Sequence, residues 1–435
     1  FMSKNLVIVE SPAKAKTIEK FLGPDYVVKS SIGHIRDMPK KDMGVDIENN
    51  FQPTYAISAD KKKVVADLKK SVKTATKIFL ATDEDREGEA IAWHLQQALS
   101  LAEDTPRIVF HEITKGAITE AINNPRTIDT DLVNAQQARR IIDRLVGFEI
   151  SPVLWRKISG ARSAGRVQSP VVRIVVERER EISAHSATSS HKVKANLVNS
   201  SNEFVEVKLS VDFKSKEEAL AFAESVLSAE LKVNSVETKP SKRSPKAPFI
   251  TSTLQQEASQ KLGFSVKQTM SIAQNLYREG AITYMRTDSL NLSETAITAA
   301  QKVIVSKFGS EFHQARRYKT NSSGAQEAHE AIRPTDLTKP SILGLDDQST
   351  KLYSLIYKRT LASQMSDAQL QKTKININIS NRKEHFIADG EVLSFAGFLE
   401  VYDYMAAEDK LLPEVSKGDL LTLVDLASKE SFSRA

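Results

Sequence analysis

Short apolar runs alternate with helical periodicities over the first 130 residues. NLVIVE (5–10) reads as a buried strand. Ser11 and Pro12 behind it suit the N-cap and first turn of a helix with Ile18 and Leu22 on one face. KIFLAT (77–82) reads as a second strand, followed by Ile91, Leu95 and Leu99 at i, i+4 and i+8. PRIVF (106–110) predicts a third strand, leading into ITKGAITEAIN. This alternation predicts a parallel sheet with helices on its faces.

Residues 131–182 read as helical, with Leu132, Ala135, Ala138, Ile142 and Leu145 on one face. From 183 to 238 the chain is polar and β-prone, with alternation in HKVKANLVN and EFVEVKLSV. KPSKRSPKAP (239–248), with three prolines and four basic residues, reads as a linker or exposed crossing point. A helical pair follows, each member ending at a glycine suited to a C-terminal cap, Gly263 and Gly280. AITYMRT (281–287) then predicts a strand, and two short helices before a strand suggest a winged-helix arrangement. Beyond 370 the chain is β-rich again, in TKININIS, FIADGEVLSF and DLLTLVDL.

Composition narrows the function classes. The 435 residues allow two to four domains, and the 40% hydrophobic and 27% charged content is that of an ordinary soluble chain. No apolar run is long enough to span a bilayer, and no secretory signal is visible. A net charge of +6 favours an anionic partner, of which nucleic acid is the commonest large one. There is no cysteine, which excludes disulfides, thiolate metal sites and zinc ribbons and fits a cytoplasmic setting. No Gly-Lys dipeptide occurs in these residues, so they hold no P-loop.

The chemistry concentrates in ATDEDREGEA (81–90), where Asp83, Glu84, Asp85, Glu87 and Glu89 crowd the carboxyl end of the second strand. Open parallel sheets bind ligands at that edge, and Glu10 should reach it from the first strand. Glu10, Asp83, Asp85 and Glu87 would repel one another there. A hard divalent cation relieves the repulsion, and Mg²⁺ takes a few carboxylates together with water and phosphate oxygens. The competing reading, acids favoured by a helix N-terminus, accounts for Glu87 and Glu89 but not for Glu10.

ESPAK (10–14), with D-x-D-x-x-G-E-A at 83–90, resembles the Toprim domain. SIGHIRD (31–37), QQARRIIDRLVGFEISPVLW (136–155), SAGRVQS (163–169), ITYMRTDS (282–289) and EAHEAIRPT (327–335) follow in order. Together they resemble the bacterial type IA DNA topoisomerases over nearly the whole chain. The resemblance implies a multidomain α/β, α and β toroid: a Toprim Rossmann-like parallel sheet at 1–130, and a helical DNA-binding domain at 131–184. It further implies a β-rich arch at 185–245 and 371–435, and a winged-helix-like domain with the catalytic tyrosine at 246–370. The implied activity is ATP-independent: single-strand cleavage through a 5′-phosphotyrosine, strand passage and religation, relaxing negatively supercoiled DNA. It would use Mg²⁺ and be carried out by a monomer in the cytoplasm, at the bacterial nucleoid. The resemblance also implies a further helical segment beyond ESFSRA (430–435), without which the 131–184 domain would be incomplete. The alternative reading is then a truncated core that binds single-stranded DNA with weak or no relaxation.

Residue roles follow from the same motifs. Tyr284 is the implied nucleophile. A free phenol ionises at about pH 10, so Arg286, two residues on and on the same side of a strand, is expected to stabilise the phenolate. Glu10 is the implied general acid for the leaving 3′-oxygen, with a pKa raised by its acidic neighbours. Lys14, one helical turn after Glu10, is assigned to the phosphate. Glu10, Asp83, Asp85 and Glu87 are the implied metal ligands. His34 and His329 are assigned to phosphate hydrogen bonds, while Glu327, Glu330 and Arg333 read equally well as structural. Arg139, Arg140 and Asp143 are implied to hold the strand upstream of the cut, with Phe148 and Trp155 as aromatic contacts. Ser163, Ala164 and Gly165 are small enough to let a phosphodiester chain approach closely, Arg166, Val167 and Gln168 beside them are implied to bind DNA as well, and Arg162 is a further phosphate candidate.

Overall fold

The structure, a computed structural model, describes residues 4–319, 330–402 and 411–435. In chain order the first elements are β1 (Asn5–Val9), α1 (Pro12–Leu22), β2 (Tyr26–Ser30), and the short strands β3 (Arg36–Asp37), β4 (Val45–Asp46), β5 (Gln52–Pro53) and β6 (Ala56–Ile57). Then come α2 (Lys62–Thr74), β7 (Ile78–Leu80), α3 (Arg86–Leu99), α4 (Lys115–Asn123) and α5 (Thr130–Leu145). A π-helical turn (Val146–Ile150) leads to α6 (Ser151–Lys157) and α7 (Gln168–Ala184). The rest is β8 (Ser189–Val198), β9 (Phe204–Leu209), α8 (Lys216–Val226), β10 (Leu231–Arg243), α9 (Thr251–Leu262), α10 (Val266–Arg278), α11 (Glu294–Phe308), α12 (Asp347–Ser363), β11 (Ala368–Ile379), β12 (His385–Phe395) and β13 (Leu420–Phe432).

The chain divides into two compact units. The first comprises 1–172, 247–307 and 315–363, and its sheet has the parallel order β2-β1-β7. Val7, Ile8 and Val9 are fully buried because both faces of β1 are covered, as parallel strands require. Ser11 caps α1 by accepting from the Lys14 N–H at 3.2 Å, with Pro12 in the first turn. On α3, Ile91, Leu95 and Leu99 pack against Leu6, Ile8 and Leu80, which fixes the N-terminus of α3 at the carboxyl edge of the sheet.

PRIVF pairs as a strand at Arg107 alone, which bridges Leu80 in parallel and Arg126 in antiparallel fashion. The Arg107 side chain is fully buried and turns back onto the sheet edge, so the run cannot continue as an alternating apolar strand. AITYMRT is not a strand either. Ile282 bridges Pro334, which has no N–H to return. The next two N–H groups then go to different partners, Thr283 to the Arg333 carbonyl and Tyr284 to the His111 carbonyl.

The face of α5 also differs from the expected one. Val133 and Gln136 are buried, whereas Ala135, Ala138 and Ile142 are exposed and Leu132 and Leu145 half-buried. The surface α5 meets is polar: Gln136 donates to Glu87 at 3.1 Å and Arg140 to Asp37 at 2.5 Å. Hydrogen bonds and an ion pair choose this face over the apolar stripe.

The second unit comprises 173–246, 308–314 and 364–435. Its strands close into a barrel in the order β10-β11-β12-β9-β8-β13. The inward positions of these strands surround Phe222 of α8. That helix is absent from the pattern reading, although Ser215 caps it by accepting from the Glu218 N–H, the Glu218 carboxylate accepts from the Lys214 N–H, and Ala219, Phe222 and Val226 give it one buried face. Part of the expected linker, 239–243, is the end of β10. Pro240 pairs with Gln371 there, and it is tolerated because this stretch of β10 has a neighbour on one side only.

Candidate active site

Two side-chain clusters meet at the carboxyl edge of the sheet. In the first, Lys14 projects from α1 with no exposure and lies between Asp83 at 3.0 Å and Glu10 at 3.3 Å. Its ammonium also lies 4.9 Å from the Phe110 ring centre. Burial pushes the Glu10 carboxyl up to about 7, helped by Asp83 and opposed by Lys14. Burial acts to raise Asp83, but the Lys14 charge, hydrogen bonds with Glu10 and Lys14, and Arg286 together hold it below the usual carboxylate range. Burial disfavours the Lys14 charge, yet Asp83 and Glu10 keep its pKa above the ordinary lysine value. Lys14 thus neutralises two acids from beneath the site and is not exposed at its surface.

In the second cluster the Tyr284 hydroxyl donates to Asp85 at 2.6 Å, and Arg286 lies 3.6 Å from the same carboxylate. The two side chains converge on Asp85 from a loop. Tyr284 is 2% exposed, and its ring meets Tyr277 edge-on at 5.2 Å. Burial, then Asp83 and Asp85, raise the phenol pKa; Arg286 works against them. Asp85 also caps α3 through the Gly88 N–H at 2.8 Å. A Cβ on Gly88 would lie 2.1 Å from the Asp83 carbonyl oxygen, so glycine is what lets this helix start pack onto the acidic loop.

Arg107 braces that loop. It donates to the carbonyls of Thr82 at 2.9 Å, Asp83 at 2.7 Å and Ile108 at 2.7 Å, and pairs with fully buried Glu89 at 3.2 Å. Glu89 is therefore a buried bridge and not a solvated helix-end acid. Glu87 turns away from the other acids toward Gln136 and His34, the latter at 3.7 Å. Burial lowers the His34 pKa, with Glu87 opposing.

A cavity of about 910 Å³ opens between these groups, lined by Glu10, Asp83, Asp85, Glu87, His34, Arg139 and Arg286 among others. Among the described residues, no group of three or more His, Asp or Glu side chains is gathered closely enough to enclose a metal ion. Gln274 and Arg278 of α10 line the cavity too. Neither they nor Arg107 figure among the residues expected from the motifs. An arginine in the middle of the apolar run PRIVF was the available signal for the brace.

The expected strand-binding residues divide into two groups. Arg139, Arg140 and Asp143 border a second cavity of about 240 Å³ with His34, Glu87 and His94. Asp143 pairs with Arg166 at 2.6 Å and not with Arg139. Phe148 sits 5.5 Å from the Arg144 guanidinium. Trp155, 58% exposed, donates to the Arg162 carbonyl. Ser163 accepts from Gln168, the Ala164 N–H donates to Ser151, the Gly165 N–H donates to Ser169, and Val167 is exposed. None of 163–168 lines either cavity. Arg333 is buried between Glu112 at 2.9 Å and Glu330. His329 and Glu327 lie outside the described residues.

A parallel sheet with acids at its carboxyl edge is the Toprim arrangement, and the Toprim domain family matches residues 5–113. Toprim domains are metal-binding domains. The DNA topoisomerase family matches residues 127–435; the chain belongs to that family. It is 45% identical to DNA topoisomerase 1 of Streptomyces coelicolor, over 97% of this chain and 50% of that protein. It is 46% identical to DNA topoisomerase 1 of Campylobacter jejuni, over 99% of this chain and 64% of that protein. The chain therefore spans about half to two thirds of the length of these relatives. The solved structure of full-length topoisomerase I from Thermotoga maritima superposes with a TM-score of 0.87 at 39% identity, covering 99% of this chain and 72% of that one. No helix among the described residues is long and apolar enough to cross a membrane.

Proposed function

We propose that this site cuts and rejoins one DNA strand through Tyr284, the ATP-independent reaction of a type IA topoisomerase relaxing negatively supercoiled DNA. The observation that carries the reading is the 2.6 Å hydrogen bond between Tyr284 and Asp85, which joins an expected nucleophile to the acidic edge 199 residues away. The Tyr284 oxygen attacks phosphorus, the bond from phosphorus to the 3′-oxygen breaks, and the strand is held as a 5′-phosphotyrosine ester. Asp85 is the acceptor already bonded to the phenol proton. Glu10, at about 7, keeps a population of acid at neutral pH to protonate the leaving oxygen. Arg286 faces the charge that develops on the phenol and the phosphate. The reverse attack by the 3′-hydroxyl rejoins the strand, and the ester conserves the bond energy, so no nucleotide is hydrolysed.

The donor set suits Mg²⁺ in chemistry. Its usual shell is one or two carboxylates completed by water and phosphate oxygens, which does not need three enclosing acids. Asp83 and Asp85 would hold it, with Glu10 and Glu87 at the margin, and it would supply positive charge beside the phosphate. His34 and Arg139 line the same cavity and would bind strand phosphates. The partner is DNA, single-stranded at the site, and the protein acts as a cytoplasmic monomer. The domain partition that goes with this reading is a Toprim part to 130, a helical part to 184, the barrel as arch, and the Tyr284 segment between.

The test is the covalent adduct. Single-stranded DNA labelled at its 3′ end is incubated with the chain and quenched with detergent. Label on the protein that disappears in Tyr284→Phe supports the reading. DNA that binds without labelling the protein refutes cleavage by this chain and leaves a single-strand-binding fragment.

A further inference from the structure

We infer that Ile32 is a further substrate-contacting residue: its side chain is the apolar surface on which the nucleoside beside the scissile phosphate packs. This inference rests on the strand-cleaving reading of the site. Ile32 has φ +55°, in the left-handed region that a β-branched residue disfavours most strongly. The backbone on each side holds it there. Its N–H donates to the Ser30 hydroxyl at 3.0 Å, and its carbonyl accepts from Lys61 Nζ at 2.8 Å. The Gly33 N–H donates to the Glu10 carbonyl at 2.7 Å, tying the turn to the catalytic edge.

Packing within the protein does not repay this strain, because the side chain is 50% exposed. It projects at the wall of the 910 Å³ cavity beside Glu10 and His34. The other large aliphatic residue in that wall, Ile91, is 6% exposed and offers little surface. A nucleotide brings a charged phosphate and an apolar sugar and base face. The arginines and carboxylates of the wall answer the first, and Ile32 alone among its large side chains answers the second. Strained residues that the surrounding structure over-determines gather at ligand clamps for this reason.

Three variants of the chain separate contact from structure: Ile32→Gly, Ile32→Asn and Ile32→Val. Glycine and asparagine accept the left-handed backbone without the apolar surface, and valine keeps the surface. The oligonucleotide concentration giving half-maximal adduct should rise about tenfold or more in Ile32→Gly and Ile32→Asn, the usual scale for a lost aliphatic contact, and should stay near the parent value in Ile32→Val. The melting temperature of Ile32→Gly should equal or exceed the parent's. An abasic residue beside the cleaved phosphate should weaken the parent and leave Ile32→Gly nearly unchanged. Parent-like half-saturation in Ile32→Gly, with adduct still formed, overturns the inference and leaves the function standing. A lower melting temperature in Ile32→Gly overturns it by assigning Ile32 a packing role. No adduct from the parent chain overturns the function, and this inference with it.

Discussion

The pair Glu89 and Arg107 sets a sharp test, because both side chains are fully buried and their partners are known. Glu89 accepts from Arg126 at 2.7 and 2.9 Å, from Arg107 at 3.2 Å and from the Asp129 N–H at 2.7 Å. With an effective dielectric of about 20, charges this close attract by about 5 kcal/mol. Desolvation cancels much of that in the intact pair, so its net contribution is small. Removing one member is different, since the other charge stays buried. Glu89→Leu should therefore cost about 3–5 kcal/mol. In a unit of this size each kcal/mol moves the melting temperature by about 2–4 °C, so a fall of ~6–20 °C is expected, followed by tryptophan fluorescence. Arg107→Met should cost as much and should also slow adduct formation, because the carbonyls of Thr82 and Asp83 lose their donor. The double variant should lose less than either single variant, because neither charge is then left buried without its partner. A Glu89→Leu loss below about 1 kcal/mol, or strict additivity in the double variant, would refute the buried-brace reasoning.

Two further outcomes are expected. His94 is 3% exposed, packed against Tyr55 and Trp93, and burial, with Arg36 adding, holds its pKa down at about 3. Below about pH 6.5 the unfolded chain takes up a proton that the folded chain refuses, so stability present at pH 7 is lost as pH falls, by about 1.4 kcal/mol per unit. Between pH 7 and 5 the parent should lose about 2 kcal/mol more than His94→Gln in urea titrations; equal losses would show that the buried imidazole is not the source. Gly88→Ala should lower adduct formation tenfold or more by driving a Cβ against the Asp83 carbonyl, whereas Gly116→Ala, with nothing within 4 Å, should be silent; equal behaviour of the two would count against the close packing of α3 on the acidic loop.

Much of this was legible because periodicity reports local burial. The β1 and β7 runs, the Ser11 cap and the Ile91, Leu95 and Leu99 face all follow from residues within one turn or one strand of each other. The misses share a cause, which is that distant partners decided them. Nothing local marks Gln136 as more buried than Ile142, because the choice belongs to Glu87 and Asp37 across the interface. Likewise Lys14, assigned to the phosphate from its motif, is instead enclosed by Asp83 and Phe110. The acids were expected to gather at one point. Their pairing with Lys14, Tyr284 and Gln136 instead is a choice among counter-charges that sequence spacing does not encode.

The failure of AITYMRT to form a strand bears on how the site is built. A strand would have taken its hydrogen bonds from one neighbour and placed Tyr284 by that neighbour alone. Here Thr283 is held by the 331–333 segment, through its N–H and its hydroxyl, while the Tyr284 N–H is held by the His111 carbonyl next to the sheet. The same seam carries Arg333 against Glu112, the Thr17 hydroxyl on the Arg278 carbonyl, and Gly280, where a Cβ would lie 2.6 Å from the Ile113 oxygen. These links are ionic or hydrogen-bonded contacts and close main-chain approaches, directional and short-ranged. The position of the phenol over Asp85 thus depends on both sides of the seam at once. A displacement of one side by an ångström or two breaks the Tyr284 to Asp85 bond before it disturbs either core, so the site is assembled only when the two sides are in register.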